Sequence, residues 1–533
     1  MREITFDQEA LKKLQDGVNK MAKAVTVTLG PGGANVAMER QPGQSPHISK
    51  DGVTVSRDIF LDDPIENMGA SVIREAANKT AELGGDGTTT SVLLAQAIFN
   101  EGVKQIAVGV NRIDLKKGID IGVKRVVEEL KKLATPVEGD DILKVATISA
   151  NGDTDIAKLI NEAIGQVGRE GVVSVEDHQG VDSYVKRVEG MNFDRGYLSP
   201  YFVTNHEKQE VEFRNCEILI YDGVLDNIKM LTPFLDRIRK RGVTYPLLII
   251  ATDVTGDCLA TLALNHLKQN ISVCCVQSPS PIGDVKKEDL RDFAVVTGAK
   301  IITKETGLTL KTADADVLGK ADRVKVTNWR TTIIGGHGDP DEIIDRVKSI
   351  KSQMEDTNEQ AKVSLKDRLA RLVSGIAVIY VGGTTQVEIK EKKDRIDDAL
   401  QSTRAALDEG IIIGGGIGYL LTWSKYTPTP TDMNRDQFIG SKIVWDVLLT
   451  PIKTIAENCG VNGDVVVNNV LTNSGGIDNF GFNAKTQNYE NLIAAGIIDP
   501  FKVTRLALEN AGSVAGMLLT TKAVIFNAKP KTV

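Results

Sequence analysis

The sequence is poor in aromatic residues, in cysteine and in long apolar runs. Only 5% of its 533 residues are aromatic, so we expect a mostly aliphatic core, which suits layered α/β packing. The five cysteines are odd in number and most lie in apolar stretches, which favours buried free thiols in a reducing compartment over disulfides. No apolar stretch is long enough to cross a bilayer, and the polar start of the chain lacks a signal-peptide pattern. We therefore expect a soluble, intracellular protein with no membrane partner.

The charge distribution and the missing motifs exclude several classes of function. The formal net charge is -7 with both signs mixed along the chain, so no basic surface for nucleic acid is predicted. No cysteine pair has zinc-ligand spacing, and the histidines form no HExxH cluster. A Walker A sequence is missing, as is a GxGxxG turn after a strand, which disfavours a standard P-loop or dinucleotide fold.

Apolar residues at spacings of three and four predict several long helices. One covers residues 11–25, a second starts after Gly87, a third carries residues 119–133, and a long one spans Gln386–Glu409. Residues 340–373 have the pattern of a helical hairpin with highly charged outer faces.

Short β-rich apolar runs predict buried strands in the middle of the chain. They lie at Tyr245–Ala251, Ser272–Val276 and Ile376–Val381. The length suggests about three or four domains. The composition after Gly410 resembles that of the first 132 residues, so we expect both ends to form one domain with the middle inserted.

The loop Gly84-Gly-Asp-Gly-Thr-Thr-Thr90, directly before an apolar helix, is the strongest candidate for chemistry. Glycines let a backbone approach an anion closely, and free N–H groups at a helix start attract phosphate. Asp86 would repel a phosphate unless it held a cation, so its natural role is a magnesium ligand. The alternative is an ordinary N-cap turn before a core helix, and the three threonines make the phosphate interpretation at least equal to it.

Three further segments carry little information alone. The turn Thr28–Gly33 is explained equally well as a helix end with Gly and Pro in their usual places. Gly414–Gly416 suits a close approach of the backbone to another group. The carboxylates of Arg395–Asp398 lie on the long predicted helix, and such residues usually form a solvated face.

Several motifs follow one another through nearly the whole chain. They are TLGPGGANV (28–36), ISKDGVTV (48–55), ENMGA (66–70), GDGTTT (85–90), TISAN (147–151), FDRGYLSPYF (193–202), EKKDRIDDAL (391–400) and AALDEGIIIGGG (405–416). This ordered set resembles the chaperonin family, and the similarity continues through Ile498–Arg505. The sequence KDGV at Lys50–Val53 is similar to group I, the bacterial, organellar and phage-type chaperonins.

The resemblance implies a multi-domain α/β fold of three domains. They are a mostly helical equatorial ATP-binding domain (1–132 and 410–533), a small α/β intermediate domain (133–189 and 376–409) and an α/β apical client-binding domain (190–375). Gly190 and Gly375 would be hinges of the apical domain, and Pro136 and Gly410 those of the intermediate domain.

The resemblance also implies an ATPase with ATP and Mg²⁺ as cofactors, and it leaves a K⁺ ion open. Asp86 would bind magnesium, Asp398 would orient the attacking water, and Asp51 would complete the catalytic set. The residues implied to bind the nucleotide are Thr28, Leu29, Gly30, Pro31, Lys50, Gly87, Thr88, Thr89, Thr90, Gly415, Asn483, Ala484 and Asp499.

The implied partners are unfolded or partly folded proteins and further copies of the chain in seven-membered rings, in the bacterial cytosol or a phage-infected host cell. A co-chaperonin lid is left open. Client binding is expected on exposed apolar apical residues, because unfolded clients need a surface of low specificity. These residues are Tyr197, Tyr201, Phe202, Phe234, Leu235, Leu259 and Leu264. The alternative is that they form core, as most apolar residues in such runs do.

Some positions depart from the family pattern. Gln386 stands where a glutamate usually pairs across subunits with an arginine, here Arg195. Val461-Asn462 replaces an acidic pair of the ring-to-ring contact, which leaves one ring or two open, and Lys485 adds a charge beside the expected adenosine pocket. These departures suit a phage-encoded or otherwise specialised member.

Two other functions stay open at this point. The first is a ring or scaffold that holds clients without productive ATP turnover, and the joint presence of Asp51, Asp86 and Asp398 favours hydrolysis over it. The second is a small-molecule kinase, for which the sequence offers no acceptor-site pattern.

Overall fold

The computed structural model describes most of the chain. The described residues are 2–39, 46–137, 141–150, 153–169, 171–178, 180–206, 208–240, 246–280, 283–303, 305–355, 365, 368–372, 375–431, 433–473 and 479–527. The chain forms two compact units, one of Met1–Ile160 with Asp394–Val533 and one of Asn161–Lys393. The borders of the three expected domains differ from the borders of these two units, so the three-domain division stays a prediction.

Helices dominate both ends of the chain, and strands the middle. The first part contains β1 (Arg2–Phe6), α1 (Asp7–Thr26), β2 (Val36–Met38), β3 (His47–Ser49), α2 (Gly52–Asp58), α3 (Pro64–Gly84), α4 (Thr88–Ala107), α5 (Arg112–Lys131), α6 (Asp141–Ser149) and α7 (Thr154–Val167). The middle contains β4 (Val172–Asp177), β5 (Tyr184–Val188), β6 (Gly190–Phe193), β7 (Val211–Leu225), α8 (Ile228–Lys240), β8 (Leu247–Val254), α9 (Gly256–Leu267), β9 (Val273–Gln277), α10 (Gly283–Thr297), β10 (Gly319–Val326), β11 (Thr331–Gly336), α11 (Pro340–Glu355) and β12 (Ile376–Val381), with short 3-10 helices at Pro200–Phe202 and Ala315–Val317. The last part contains α12 (Gln386–Glu409), β13 (Ile411–Ile413), α13 (Ile417–Lys425), α14 (Arg435–Val447), α15 (Thr450–Asn458), α16 (Gly463–Thr472), β14 (Phe480–Asn483), β15 (Asn488–Asn491), β16 (Ile498–Pro500), α17 (Phe501–Thr520) and β17 (Ala523–Asn527).

These elements confirm the helices and strands predicted from apolar spacing. Helix α12 and strand β12 have the predicted bounds, and β8 and β9 differ from the predicted strands by a few residues at their ends. Helix α11 forms the first half of the predicted hairpin at 340–373, and much of its second half lies outside the described residues.

The first unit is built on a layer of closely packed helices. In α1, Leu14, Val18 and Met21 lie on one face and are at most 1% exposed. Helix α1 approaches α3 closely, since a Cβ at Gly17 or Gly69 would collide with the backbone of the other helix. Helix α17 packs against α3, α4 and α5, so the end of the chain completes the core begun by its start. In the described ranges, no helix has both the length and the apolar character that crossing a bilayer requires.

Two antiparallel strand pairs join distant parts of the chain within the first unit. Strand β1 pairs with β17, with Arg2 opposite Asn527 and Phe6 opposite Ala523. Strand β13 pairs with β16, which places Ile412 opposite Asp499. The second pair brings the end of α12 beside the start of α17.

The second unit contains two sheets. The larger has the strand order β6-β11-β10-β7-β8-β9, in which β7, β8 and β9 run parallel, and the smaller has the order β4-β12-β5. Strand β8 is fully buried from Leu248 to Ala251, which explains its continuous apolar sequence.

All five cysteines are free thiols, as predicted. Cys216, Cys258, Cys274 and Cys275 are buried in the second unit, and Cys459 is half-buried in the first. Burial raises the pKa of Cys258 to about 11, so this thiol stays protonated and unreactive at neutral pH.

A buried ion-pair cluster holds α10 against α11 and residues 368–372. The Asp292 carboxylate accepts from Arg346 Nε at 2.7 Å and from Arg368 Nε at 2.8 Å. Asp292 is 2% exposed and Arg368 is 3% exposed. Charge-assisted bonds of this kind compensate the desolvation of the arginines only while the carboxylate is present.

We expect Asp292→Asn to destabilise the protein by about 1.5–3 kcal/mol, because the buried Arg368 and the half-buried Arg346 lose their charge-assisted bonds to Asp292 and keep only their ion pairs with Glu288. The control is Asp345→Asn on α11, which breaks the exposed pair with Lys348 and should change the free energy of unfolding by less than about 1 kcal/mol. Urea unfolding followed by fluorescence measures both. Equal effects of the two variants would contradict the role of the buried cluster.

Candidate functional site

The turn after α1 forms one edge of a polar cleft in the first unit. Thr28 is buried and donates from Oγ1 to the Val25 carbonyl at 2.7 Å. Gly30 has a φ of +78°, a conformation that favours glycine, and its carbonyl accepts from the Gly33 N–H at 3.1 Å. The turn holds Thr28, Leu29, Gly30 and Pro31 in one compact loop.

The loop before α4 presents a helix start to the same cleft. Gly85 and Gly87 have φ values of +77° and +81°, and Gly87 is the N-cap of α4. The Gly87 N–H donates to Asp86 Oδ1 at 2.6 Å. The N–H groups of Thr88, Thr89 and Thr90 belong to the first helical turn, where a phosphate or another anion can accept from them.

The start of α2 meets the start of α4. A Cβ at Gly52 would collide with Thr89 Oγ1, so the two helix starts are in direct contact. Thr28 Oγ1 lies 3.5 Å from Thr89 Oγ1, which joins the first turn to this contact. Asp51 caps α2 by accepting from the Val53 N–H at 3.2 Å and the Thr54 N–H at 2.7 Å. Three elements therefore converge on the cleft.

Lys50 lies next to this convergence. Its Nζ approaches the Pro31 carbonyl at 3.5 Å, and its side chain is exposed. The ammonium group is therefore placed beside the turn after α1 with its remaining donors directed to solvent.

Asp398 on α12 adds a carboxylate to the same cleft. Desolvation by the surrounding protein raises the pKa of Asp398 to about 6, and the carboxylates of Asp86 and Asp51 contribute next. Asp397 and Asp394 on the same helix add further repulsion. Asp398 is nevertheless exposed, so its side chain reaches solvent.

The residues expected around adenosine lie on other elements of the first unit. Gly415 has a φ of +67°, and a Cβ there would lie 3.7 Å from the Ile497 side chain and 4.0 Å from the Phe482 carbonyl oxygen. Asn483 is buried, and its Nδ2 donates to Glu490 Oε1 at 2.7 Å. Ala484, beside it, is 8% exposed.

Asp499 lies at the start of α17, opposite Ile412 in the β13–β16 pair. Burial raises the pKa of Asp499 to about 7, and the charge of Asp86 adds to this increase. The Asp86 carboxylate therefore contributes to the raised pKa values of both Asp398 and Asp499.

The acidic side chains of the cleft are suited to magnesium only together with a ligand. Among the described residues, no three His, Cys, Asp or Glu side chains are close enough to hold a metal by themselves. Magnesium is usually held by one or two carboxylates with phosphate oxygens and water as the other ligands. The exposed Asp86 carboxylate fits this requirement, and a cation would relieve its repulsion of Asp398.

Two residues near the cleft were not predicted from the sequence. The Gln401 side chain on α12 covers the Asp86 loop, since a Cβ at Gly85 would lie 2.5 Å from Gln401 Oε1. Asn458 at the end of α15 donates from Nδ2 to the carbonyls of Thr26 and Leu29. Asn458 is more than 400 positions from both carbonyls, so no local sequence pattern reveals the contact.

The residues expected to bind clients lie in the second unit and differ widely in exposure. Tyr201 is 61% exposed and Leu264 is 50% exposed, so both are accessible to a partner. Tyr197, Leu235 and Leu259 are half-buried and pack against the core. Helices α8 and α9 pack against each other and carry most of this set.

Phe202 and Phe234 correct the prediction of an exposed surface. Both rings are fully buried. Phe202 packs edge-on against His266, with 5.8 Å between ring centroids, and Phe234 lies on the same face of α8 as Leu231 and Ile238. The core alternative is therefore right for these two residues, because each fills the space under a helix.

Comparisons with known proteins identify the family and the fold. The model of the TCP-1/cpn60 chaperonin family matches residues 21–529. The crystal structure of the chaperonin gp146 from the bacteriophage EL 2 (Pseudomonas aeruginosa), determined in the presence of ATP-BeFx, is similar with a TM-score of 0.66 over 99% of both chains. At 22% sequence identity, this second similarity shows a shared multi-domain chaperonin fold. The chain belongs to the TCP-1/cpn60 chaperonin family.

Proposed function

We propose that the chain is an ATP-hydrolysing chaperonin subunit that binds non-native proteins and encloses them in a seven-membered ring. The observation that carries the ATPase part is the convergence of the α2 and α4 starts with Asp51, Asp86 and Asp398. Membership of the chaperonin family supports the protein-folding part. Whether one ring or two assemble, and whether a lid takes part, is left to measurement of the assembly.

In the proposed reaction, the α4 start and the turn after α1 bind the phosphates of ATP. The N–H groups of Thr88, Thr89 and Thr90 donate to phosphate oxygens, and Lys50 adds a positive charge. Magnesium, when bound at Asp86, neutralises the phosphate charge. Because phosphoryl transfer depends mainly on positioning and charge neutralisation, these contacts supply much of the catalysis.

Asp398 has the role of orienting the attacking water and accepting its proton. A carboxylate with a raised pKa is a better proton acceptor at neutral pH than one of ordinary acidity. Asp499, Asn483 and Ala484, with Gly415, form the proposed adenosine side. Asp499 hydrogen-bonds the ribose in this proposal.

The three-domain division is part of the same proposal. We propose that the equatorial, intermediate and apical parts keep the borders expected from the sequence, with Gly190 and Gly375 as apical hinges. Gly375 has a φ of +60°, which is consistent with a backbone that only glycine adopts readily. The bacterial cytosol remains the proposed compartment.

We expect Asp398→Asn to lower kcat for ATP hydrolysis by about 100-fold or more while ATP still binds, because the amide cannot accept a proton. Asp394→Asn, which removes the same charge from an exposed position of α12, should keep kcat within about twofold. Single-turnover hydrolysis measures the rate of ATP hydrolysis, and ATP titration measures nucleotide binding. Normal hydrolysis by Asp398→Asn would overturn the mechanism, and a wild-type protein that binds clients without hydrolysing ATP would favour a holding ring.

The pH dependence of hydrolysis follows from the same carboxyl group. Its pKa of about 6 means that Asp398 is ionised above this pH and protonated below it. The reaction needs the ionised form, so kcat/KM should fall as the pH is lowered through about 6, since kcat/KM reports the pKa values of the free enzyme. Circular dichroism at each pH shows whether the fold is retained. A kcat/KM that stays constant through this range would contradict the assignment.

Client binding should depend on the exposed apolar residues and not on the buried ones. We expect Leu264→Asp to weaken binding of an unfolded polypeptide by about tenfold, with ATP hydrolysis unchanged. The control is Ile344→Asp on α11, which changes a side chain of similar exposure, 51%, outside the expected surface. Fluorescence anisotropy of a labelled unfolded protein measures both. Equal losses in the two variants would refute the predicted surface.

A further inference from the structure

The short segment Asn458-Cys459, at the end of α15, contacts the two expected walls of the proposed nucleotide cleft, which are the turn after α1 and the β14–β15 hairpin that carries Asn483. The Asn458 side chain is the first contact: its Nδ2 donates to the Thr26 carbonyl at 3.0 Å and to the Leu29 carbonyl at 2.9 Å. Both hydrogens of one amide are therefore used on the turn that carries Thr28–Pro31. The Asn458 amide therefore links the carbonyls of Thr26 and Leu29, which are three positions apart, and holds the turn between them closed.

Close packing strengthens the first contact. A Cβ at Gly32 would lie 2.5 Å from Cys459 Sγ and 2.7 Å from the Asn458 carbonyl oxygen. The Ile455 side chain of α15 packs on Gly30 in the same way, at 3.2 Å from the position of a Cβ. The turn thus lies directly on the end of α15 with no space for a side chain between them.

The second contact runs from the same segment to the opposite wall. The Cys459 carbonyl accepts from Gln487 Nε2 at 3.0 Å. Gln487 lies in the turn between β14 and β15, the hairpin that carries Asn483. Asn483 Oδ1 accepts from the Lys485 N–H at 3.0 Å, so the turn is tied to the proposed adenosine side.

We infer that Asn458 is a positioning residue that fixes the separation of the two walls of the nucleotide cleft. It acts through backbone carbonyls and touches no reacting group. The inference rests on the proposed ATP site, and it adds a residue that the motifs of the sequence do not include. Its consequence is that loss of the amide loosens nucleotide binding and leaves the chemistry at Asp398 in place.

We expect Asn458→Ala to raise the KM for ATP by about tenfold with kcat within about twofold, since two hydrogen bonds to the turn are lost. Asn458→Asp keeps the shape of the side chain but directs a carboxylate at two carbonyl oxygens, so its KM should rise further. The control is Asn270→Ala, which removes an exposed amide in the second unit, where it donates to Asn265 Oδ1. Steady-state hydrolysis gives KM and kcat separately. A general loss of stability would not raise KM while leaving kcat nearly unchanged.

Gln487→Asn tests the segment from its other end. The side chain is one methylene shorter, so it cannot reach the Cys459 carbonyl, and asparagine tolerates the φ of +57° at this position. A smaller rise in KM is expected, and this variant decides the question if Asn458→Ala does not fold. An unchanged KM in these variants, or a fall in kcat alone, would overturn the inference while wild-type ATP hydrolysis preserves the proposed function. A wild-type protein that binds no ATP would overturn both.

Discussion

The contact between the starts of α2 and α4 is the constraint on which the cleft depends. Gly52 has no room for a Cβ because Thr89 Oγ1 occupies its place. The contact brings two helix starts, each with the positive end of its dipole, to one side of the first unit. The Asp51 carboxylate stabilises the start of α2, and Asp86 lies at the other start, where negative charge is favoured. The buried faces of α1, α3 and α17 keep both helices in this position.

The same region contains more negative charge than a stable core would tolerate. Burial and the repulsion of neighbouring carboxylates raise the pKa values of Asp398 and Asp499, so the ionised form of each side chain is disfavoured. Groups arranged in this way are typical of sites that bind or transform a ligand, because folding alone gives no reason to gather them. The gathering of these carboxylates therefore carries an electrostatic cost within the first unit.

Local sequence patterns predicted the helices and strands well, but they could not predict contacts between residues far apart in the chain. The amphipathic pattern of α12 ends at Gly410, and so its bounds followed from the sequence. The loop containing Asp86 was recognisable because glycines and threonines precede an apolar helix. Asn458 was not recognisable, since its partners, the carbonyls of Thr26 and Leu29, lie at the end of α1 and in the turn after it, more than 400 positions earlier in the chain. Phe234 could have been assigned correctly, because its spacing from Leu231 and Ile238 is that of a buried helix face.

The pairing of β1 with β17, together with the packing of α17 against α3, α4 and α5, affects how the protein is made. While the ribosome is still adding the middle of the chain, the parts of α3, α4 and α5 that pack against α17 have no partner. Arg112 finds its carbonyl partner at Thr521 only after translation of the last helix. Contacts of such long sequence separation form slowly and leave intermediates prone to aggregation. The nascent chain therefore needs the same protection from aggregation that its family provides to other proteins.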